Sequence, residues 1–305
     1  MSLDVFILPT GRPFFDLIFA DVPKWVRGGE EVFAKQFATC AGGSFNIAMA
    51  CHRLGLNVGF CAHLGVDFSS EAIRQATVDA GISSDFLIEH DRPMTAVTAS
   101  ISKREDRGFV SFSEPTPDFD PSGLPEHGVP GAVIVPGLPD DPESTFSYLE
   151  EMGRAGSIRA CDCNHVERDL DDRPVAELIS RLDLFLCNEK EAATLTRRSD
   201  PEQAAEVLGA LCPEVVIKLG SRGALAVTGG KIQSEPAIGI EAIETTGAGD
   251  GFDAGYIYGL LKGMPALRRL RLGNVVGGCI AAELGGTTNA PSLEKILELE
   301  KKFYR

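Results

Sequence analysis

The chain has 305 residues, 44% hydrophobic and 24% charged, which suits an ordinary soluble globular protein built as one large domain with a small appendage or as two modest domains. A formal net charge of −15 argues against a nucleic-acid partner, because phosphate backbones need a basic surface, and an acidic protein that handles nucleotides must concentrate positive potential locally through backbone amides and a metal ion. No uninterrupted apolar run approaches the ~20 residues of a membrane helix, no export signal is read at the start, and eight cysteines without a C-x-x-C pair suit reduced, buried thiols in a cytoplasmic protein.

Asp4 to Leu8 is the first predicted strand, ended by Pro9-Thr10-Gly11. In the apolar run Phe14 to Asp21 that follows, Asp16 is out of place. A carboxylate there is costly unless it is paired, exposed at a cleft or bound to a ligand, so Asp16 is either a strand-edge charge or a ligand contact. In Ala41-Gly42-Gly43-Ser44-Phe45-Asn46-Ile47-Ala48 the glycines give a loop that can touch a ligand and Ser44 can cap a helix. Ile47, Ala50, Cys51 and Leu54 then have helical spacing, and a strand-loop-helix needs no function to explain it. His63, between Ala62 and Leu64, suits a packed or cleft-edge residue better than a base. Residues 96–102 and 109–113 flank the charged turn Lys103 to Gly108 and predict a β-hairpin.

From Ala132 onward, predicted strands at 132–135, 158–161, 184–187, 215–219 and 224–227 are interspersed with predicted helices over 142–153 and 175–182. Right-handed crossovers then give a mostly parallel sheet with helices on both faces, binding ligands at the carboxyl ends of its strands. One such end carries Asn188-Glu189-Lys190-Glu191, where a carboxylate can hold water on Mg²⁺ beside a phosphate, although the same residues suit a solvated helix start. Another carries Asp162-Cys163-Asn164, and Lys218-Leu219-Gly220-Ser221-Arg222-Gly223 turns between two strands. In Glu244-Thr245-Thr246-Gly247-Ala248-Gly249-Asp250 the three small residues precede an apolar run, Ala254 to Lys262, that suits a buried helix. Their amides lie at a helix N-terminus, a ready anion site that small residues let a ligand approach closely. Asp250 beside such a site repels a bound phosphate, which makes sense if it accepts a proton from an attacking hydroxyl; as a helix cap it needs no further role.

The 244–250 stretch resembles the D-T-x-G-A-G-D signature of the ribokinase-like, or PfkB carbohydrate kinase, family. Gly42, Gly43, Asn46 and Ala48, with Leu54-Gly55 beyond, are similar to the family's G-G-x-x-x-N-x-A motif, and Gly59 to Asp67 resembles its G-x-V-G-x-D with Leu64 in place of valine. The resemblance runs from about residue 4 to about residue 291. It implies an α/β fold, a three-layer, mostly parallel sheet with helices on both faces, formed by 1–13, 39–94 and 114–305. A small β lid from 14–38 and 95–113 would close over the sugar and form a homodimer contact.

It also implies ATP-dependent transfer of the γ-phosphoryl group to an alcohol, a CH₂OH, of a sugar or sugar-like small molecule. Asp250 would be the general base and the amides of Gly247, Ala248 and Gly249 the anion hole. Asp16, Gly42, Gly43 and Asn46 would bind the acceptor, and Asn188, Lys218, Gly220, Gly223 and Asn274 the nucleotide, with Glu191 acting on Mg²⁺ through water. The turn from Gly285 to Asn289 would form the other wall of the adenine and ribose site. In members that bind a monovalent cation the first signature residue helps to hold it, and here that residue is Glu244 instead of Asp.

Two alternatives stand beside this reading. A nucleoside kinase of the same fold would need an aromatic stacking surface, from Phe14, Phe15 or Phe45, and a non-catalytic sugar-binding regulatory protein would not need the retained Asp250 and G-A-G. Phosphosugar kinases of the family usually open with N-P-A-x-D where this chain has Pro9-Thr10-Gly11-Arg12-Pro13, so an unphosphorylated acceptor is expected. A Walker P-loop is absent, since Gly230-Lys231 lacks both the earlier glycine and the following Ser/Thr, and no G-x-G-x-x-G follows the first strand.

Overall fold

A computed structural model describes residues 2–103 and 106–304. The chain lays down β1 (Val5–Ile7), leaves for β2 (Pro13–Ala20) and β3 (Gln36–Gly43), and returns through α1 (Ser44–Arg53) to β4 (Val58–Phe60). After β5 (Ala62–Leu64), α2 (Phe68–Ala80) and β6 (Leu87–Glu89) it makes a second excursion, β7 (Ala96–Lys103) and β8 (Asp106–Ser113). Strands and helices then interleave: β9 (Ala132–Pro136), α3 (Phe146–Ala155), β10 (Ile158–Asp162), α4 (Arg173–Ser180), β11 (Leu184–Asn188), α5 (Glu189–Thr196), α6 (Pro201–Gly209) and β12 (Glu214–Lys218). A meander of β13 (Ala224–Thr228) and β14 (Lys231–Glu235) precedes α7 (Ala248–Leu261), α8 (Ala266–Ala281) and α9 (Leu293–Phe303).

The main sheet has the order β14-β13-β12-β11-β10-β9-β1-β4, parallel from β4 to β12 and antiparallel at β12-β13 and β13-β14. Residue alternation divides its side chains between two cores, as a period of two requires when both faces are covered. Val5, Ile7, Ile134, Leu184, Leu186 and Val216 join the core of α1, α7 and α8, whereas Phe6, Val133, Val135, Phe185 and Ile217 join that of α3 to α6. α7 is buried from Gly251 to Gly259, as its apolar sequence led one to expect. Seven of the eight cysteines are buried, and among the described residues no helix is long and apolar enough to cross a membrane.

A second sheet, β3-β2-β7-β8, stands apart, with β2 antiparallel to β3 and parallel to β7. It contains the predicted hairpin, whose tip at 104 and 105 lies outside the described residues. Its register puts Phe15, Leu17, Phe19, Phe37, Val110 and Phe112 on one face, and Phe37, Val110 and Phe112 are exposed there. Asp16 and Ile18 lie on the opposite face, where Ile18 packs with Cys40 and Leu284. Two local expectations change. Gly42 and Gly43 end β3 instead of forming a loop, and Ser44 is already the first residue of α1, with Gly43 as its N-cap and no side-chain cap bond.

Candidate active site

The first turn of α7 is the centre. Gly247 is its N-cap at φ 75°, a left-handed conformation that a Cβ would strain, and that Cβ would also sit 3.0 Å from Thr287 Cγ2. Helix α7 therefore begins at Ala248, and Gly249 and Asp250 belong to its first turn instead of preceding it. The Ala248 N–H donates to Thr245 O (3.2 Å), which commits one of the three expected anion-hole amides to the turn itself. Those of Gly247 and Gly249 have no backbone acceptor among the described residues.

Asp250 is half-buried and accepts from Asn46 Nδ2 at 3.4 Å, and Asn46 Oδ1 in turn accepts from Thr287 Oγ1 at 2.9 Å. The start of α1 and the 285–289 turn are thus linked to this carboxylate. Burial and the Asp162 charge push Asp250 up to about 7, while Lys218 and the Asn46 amide pull the other way. Asp16, only 5% exposed, is pushed up to about 7 by burial, with the Asp250 and Glu244 charges adding to it. Gly42 gives it room, because a Cβ there would lie 1.9 Å from Asp16 Oδ2.

Behind this turn the carboxyl ends of β10 and β12 supply a buried ion triad. Lys218 Nζ bonds Asp162 Oδ1 (2.9 Å) and Asp253 Oδ2 (2.8 Å), and lies 3.6 Å from where a Cβ on Gly249 would be. The carboxylates hold the Lys218 ammonium well above its ordinary range although burial opposes it. Asp253 was not singled out in the sequence. Its signal was a carboxylate between Phe252 and Ala254 in an apolar helix, three residues after Asp250 and hence on the same side.

The nucleotide-side candidates lie along the neighbouring strand ends. Asn188 and Glu191 form a capping box at the start of α5, with Asn188 Oδ1 accepting from Glu191 N (3.0 Å) and Glu191 Oε2 accepting from Asn188 N (2.8 Å). The helix-start reading is therefore the local geometry, yet Glu191 is also pushed up to about 7 by burial and the Asp162 charge. Gly220 and Gly223 bracket the turn after β12, at φ 60° and 99°. Asn274, on α8, donates to Glu235 O (3.2 Å) and Pro236 O (3.0 Å), so its amide clamps the chain leaving β14. The 285–289 turn, expected beside adenine, is tied to α1 by Thr287 Oγ1 donating to Asn46 Oδ1 (2.9 Å). Glu244 is buried and turns Oε1 to Thr246 N (2.8 Å) and Oγ1 (2.6 Å).

Of the three aromatic candidates for nucleoside stacking, Phe45 is 1% exposed and packs edge-on to Phe60, and Phe15 lies on the face of the second sheet opposite Asp16, against Phe68. Phe14 stays beside Gly43. His63 is half-buried and hydrogen-bonded to His90 (2.9 Å), in keeping with a packed residue.

A helix N-terminus with uncommitted amides, a carboxylate whose proton affinity lies near neutrality and a fixed ammonium behind them are an arrangement suited to phosphoryl transfer on a doubly covered α/β sheet. The family description "pfkB family carbohydrate kinase" matches residues 14–293. Among curated relatives, the chain is 27% identical to the 1-phosphofructokinase of Haloferax volcanii over 278 residues, 86% of this chain and 85% of that protein. It is 23% identical to the ribokinase of Haemophilus influenzae over 287 residues, 91% and 92% of the two chains. The ribokinase of Arabidopsis thaliana, solved with ribose and ATP, superposes with a TM-score of 0.80 at 21% identity, over 99% of each chain. The chain belongs to the pfkB family of carbohydrate kinases. It is a sugar kinase with the ribokinase fold, and ATP-dependent phosphorylation of a sugar is the activity that goes with that membership.

Proposed function

We propose that this kinase transfers the γ-phosphoryl group of ATP to a primary alcohol of a sugar, with Asp250 as the general base. The observation that carries the assignment is the junction of Asn46, Thr287 and Asp250 at the first turn of α7. A carboxylate whose pKa is near 7 accepts a proton far better than an ordinary one, and its place on the first turn puts it beside the amides that face a transferring phosphate. Asp16, Gly42, Gly43 and Asn46 bind and orient the acceptor, and Asp16 accepts hydrogen bonds from its hydroxyls.

On the nucleotide side, Asn188, Lys218, Gly220, Gly223 and Asn274 line the phosphate, ribose and adenine path. Lys218 acts as a fixed positive charge and Asn274 through the loop it clamps. Bound ATP with Mg²⁺ supplies the phosphoryl group and neutralises its charge. The donor set suits a hydrated Mg²⁺ because the charges of Glu191 and Asp162 oppose each other there and a cation relieves both. The exposed apolar face of the second sheet supports a homodimer through the lid.

The test is ADP release from Mg·ATP with pentoses, hexoses, sugar acids, sugar phosphates and nucleosides. Asp250→Asn should keep ATP and acceptor binding and lower turnover by ~10² or more. Near-wild-type turnover in that variant removes Asp250 from the base role, and silence across the panel with ATP binding intact favours the regulatory reading. Wild-type turnover should rise with pH through about 7, as Asp250 loses its proton.

A further inference from the structure

Strand β14 ends at Glu235, and the next residue, Pro236, has no N–H with which to extend a ladder. Side chains hold the chain that leaves it. Asn274 Nδ2 on α8 donates to Glu235 O (3.2 Å) and Pro236 O (3.0 Å), and Tyr304 Oη, just after α9, donates to the same Pro236 O (2.6 Å). Arg271, three residues before Asn274 on α8, donates to Glu235 Oε1 from Nε (3.0 Å) and Nη2 (2.9 Å), and its guanidinium lies 5.3 Å from the centre of the Tyr304 ring. Arg268 pairs with Glu300 of α9 (2.8 and 3.1 Å), so α8 fixes where Tyr304 stands.

The same segment touches the turn after β12. A Cβ on Gly223 would lie 2.1 Å from Glu235 O, 2.6 Å from Ala237 N and 2.7 Å from Pro236 C, so backbone meets backbone with no Gly223 side chain between them. Gly223, at φ 99°, closes its turn by donating to Gly220 O (3.0 Å) and accepting from Leu219 N (2.8 Å). A shift of residues 235–237 is therefore passed directly to the 220–223 turn. Once β14 has ended, the side-chain donors on the Glu235 and Pro236 carbonyls resist such a shift, and one of them is the Tyr304 hydroxyl.

We propose that Tyr304 is a positioning residue for the nucleotide: its hydroxyl shares Pro236 O with Asn274, holds 235–237 against Gly223 and so sets the wall that meets the adenosine part of ATP. This rests on the nucleotide side of the kinase reading above and adds a residue to it from beyond the last helix. Tyr304 acts through the Pro236 carbonyl and not on the reacting atoms. Its two parts are separable, because Arg271 covers the ring while the hydroxyl alone reaches Pro236. Removing the hydroxyl leaves the ring under Arg271 and leaves Pro236 O to Asn274.

The experiment measures binding of ADP and of inorganic tripolyphosphate by calorimetry, in the full chain and in Tyr304→Phe, with thermal melts of both. ADP release with the sugar that the panel above identifies adds kcat and the KM values for ATP and acceptor. Tyr304→Phe should weaken ADP by about 3- to 10-fold, the range for one lost hydrogen bond, and raise the KM for ATP to match. Tripolyphosphate binding, kcat and the acceptor KM should not move, since none of them depends on the adenosine wall. A wild type that binds ADP and a variant that binds it equally well overturn the positioning role and leave the kinase reading standing. Equal losses of ADP and tripolyphosphate, or a fall in kcat together with the melting temperature, make Tyr304 a packing residue and also overturn the role. A wild type that binds neither ligand overturns the role and the kinase reading together.

Discussion

Asp16 shows at the scale of one residue how a buried carboxylate costs stability. Its pKa is pushed up to about 7, so between about 4 and 7 the folded chain keeps a proton that the unfolded chain has released, and the ligand-free protein loses stability as pH rises through that window. Asp16→Asn should remove the Asp16 share of that slope, leaving those of Asp250 and Glu191, and raise stability at pH 8 by about 1–3 kcal/mol. Urea melts of both proteins at pH 5 and pH 8 check this, and equal pH slopes would show that Asp16 does not titrate as described. Asp16 and Asp250 were legible because each is a carboxylate where its neighbours argue for none. Ser44 was misread as a cap because whether the helix starts at a residue or just after it depends on Gly43, whose φ of 59° a sequence does not display.

At the scale of elements, α7 is joined to the sheet by Lys218, which bridges Asp253 of that helix to Asp162 of β10. Lys218→Met leaves two carboxylates without their cation, Asp253 among them fully buried, and should cost about 3–5 kcal/mol. Asp253→Asn keeps the Lys218–Asp162 pair and should cost less. Thermal melts rank the two, and the reverse order would mean that Lys218 contributes little to holding α7. Because Lys218 also lowers the proton affinity of Asp250, the pH profile of any surviving activity in Lys218→Met should move upward.

Strand–helix alternation made the layers of the main sheet readable, since its period is written in Val5, Phe6 and Ile7 and repeated in Leu184, Phe185 and Leu186. Strand pairing beyond neighbours was not. The order that puts β1 between β9 and β4 depends on crossovers, and the placement of the 285–289 turn against Asn46 on a hydrogen bond between residues distant in the chain.

At the scale of the molecule, the exposed face of β3-β2-β7-β8 is too apolar to be left to water. Phe37, Val110 and Phe112 are each more than half exposed on it. With a homodimer through this face, Phe112→Glu should give a monomer by sedimentation. A variant that still sediments as the wild type does would place the contact elsewhere. That these strands share one sheet is hard to read from the sequence, because they come from separate stretches and look like any hairpin and any apolar run.

The junction at Asp250 also fixes when the enzyme can exist. Asn46 is 204 residues from Asp250 and 241 from Thr287, so the site closes only after nearly the whole polypeptide has been made. Domains begin to organise from the N-terminus during synthesis, and contacts this distant come last. Asp250 therefore gains its Asn46 partner, and Asn46 its Thr287 partner, only on a nearly finished molecule.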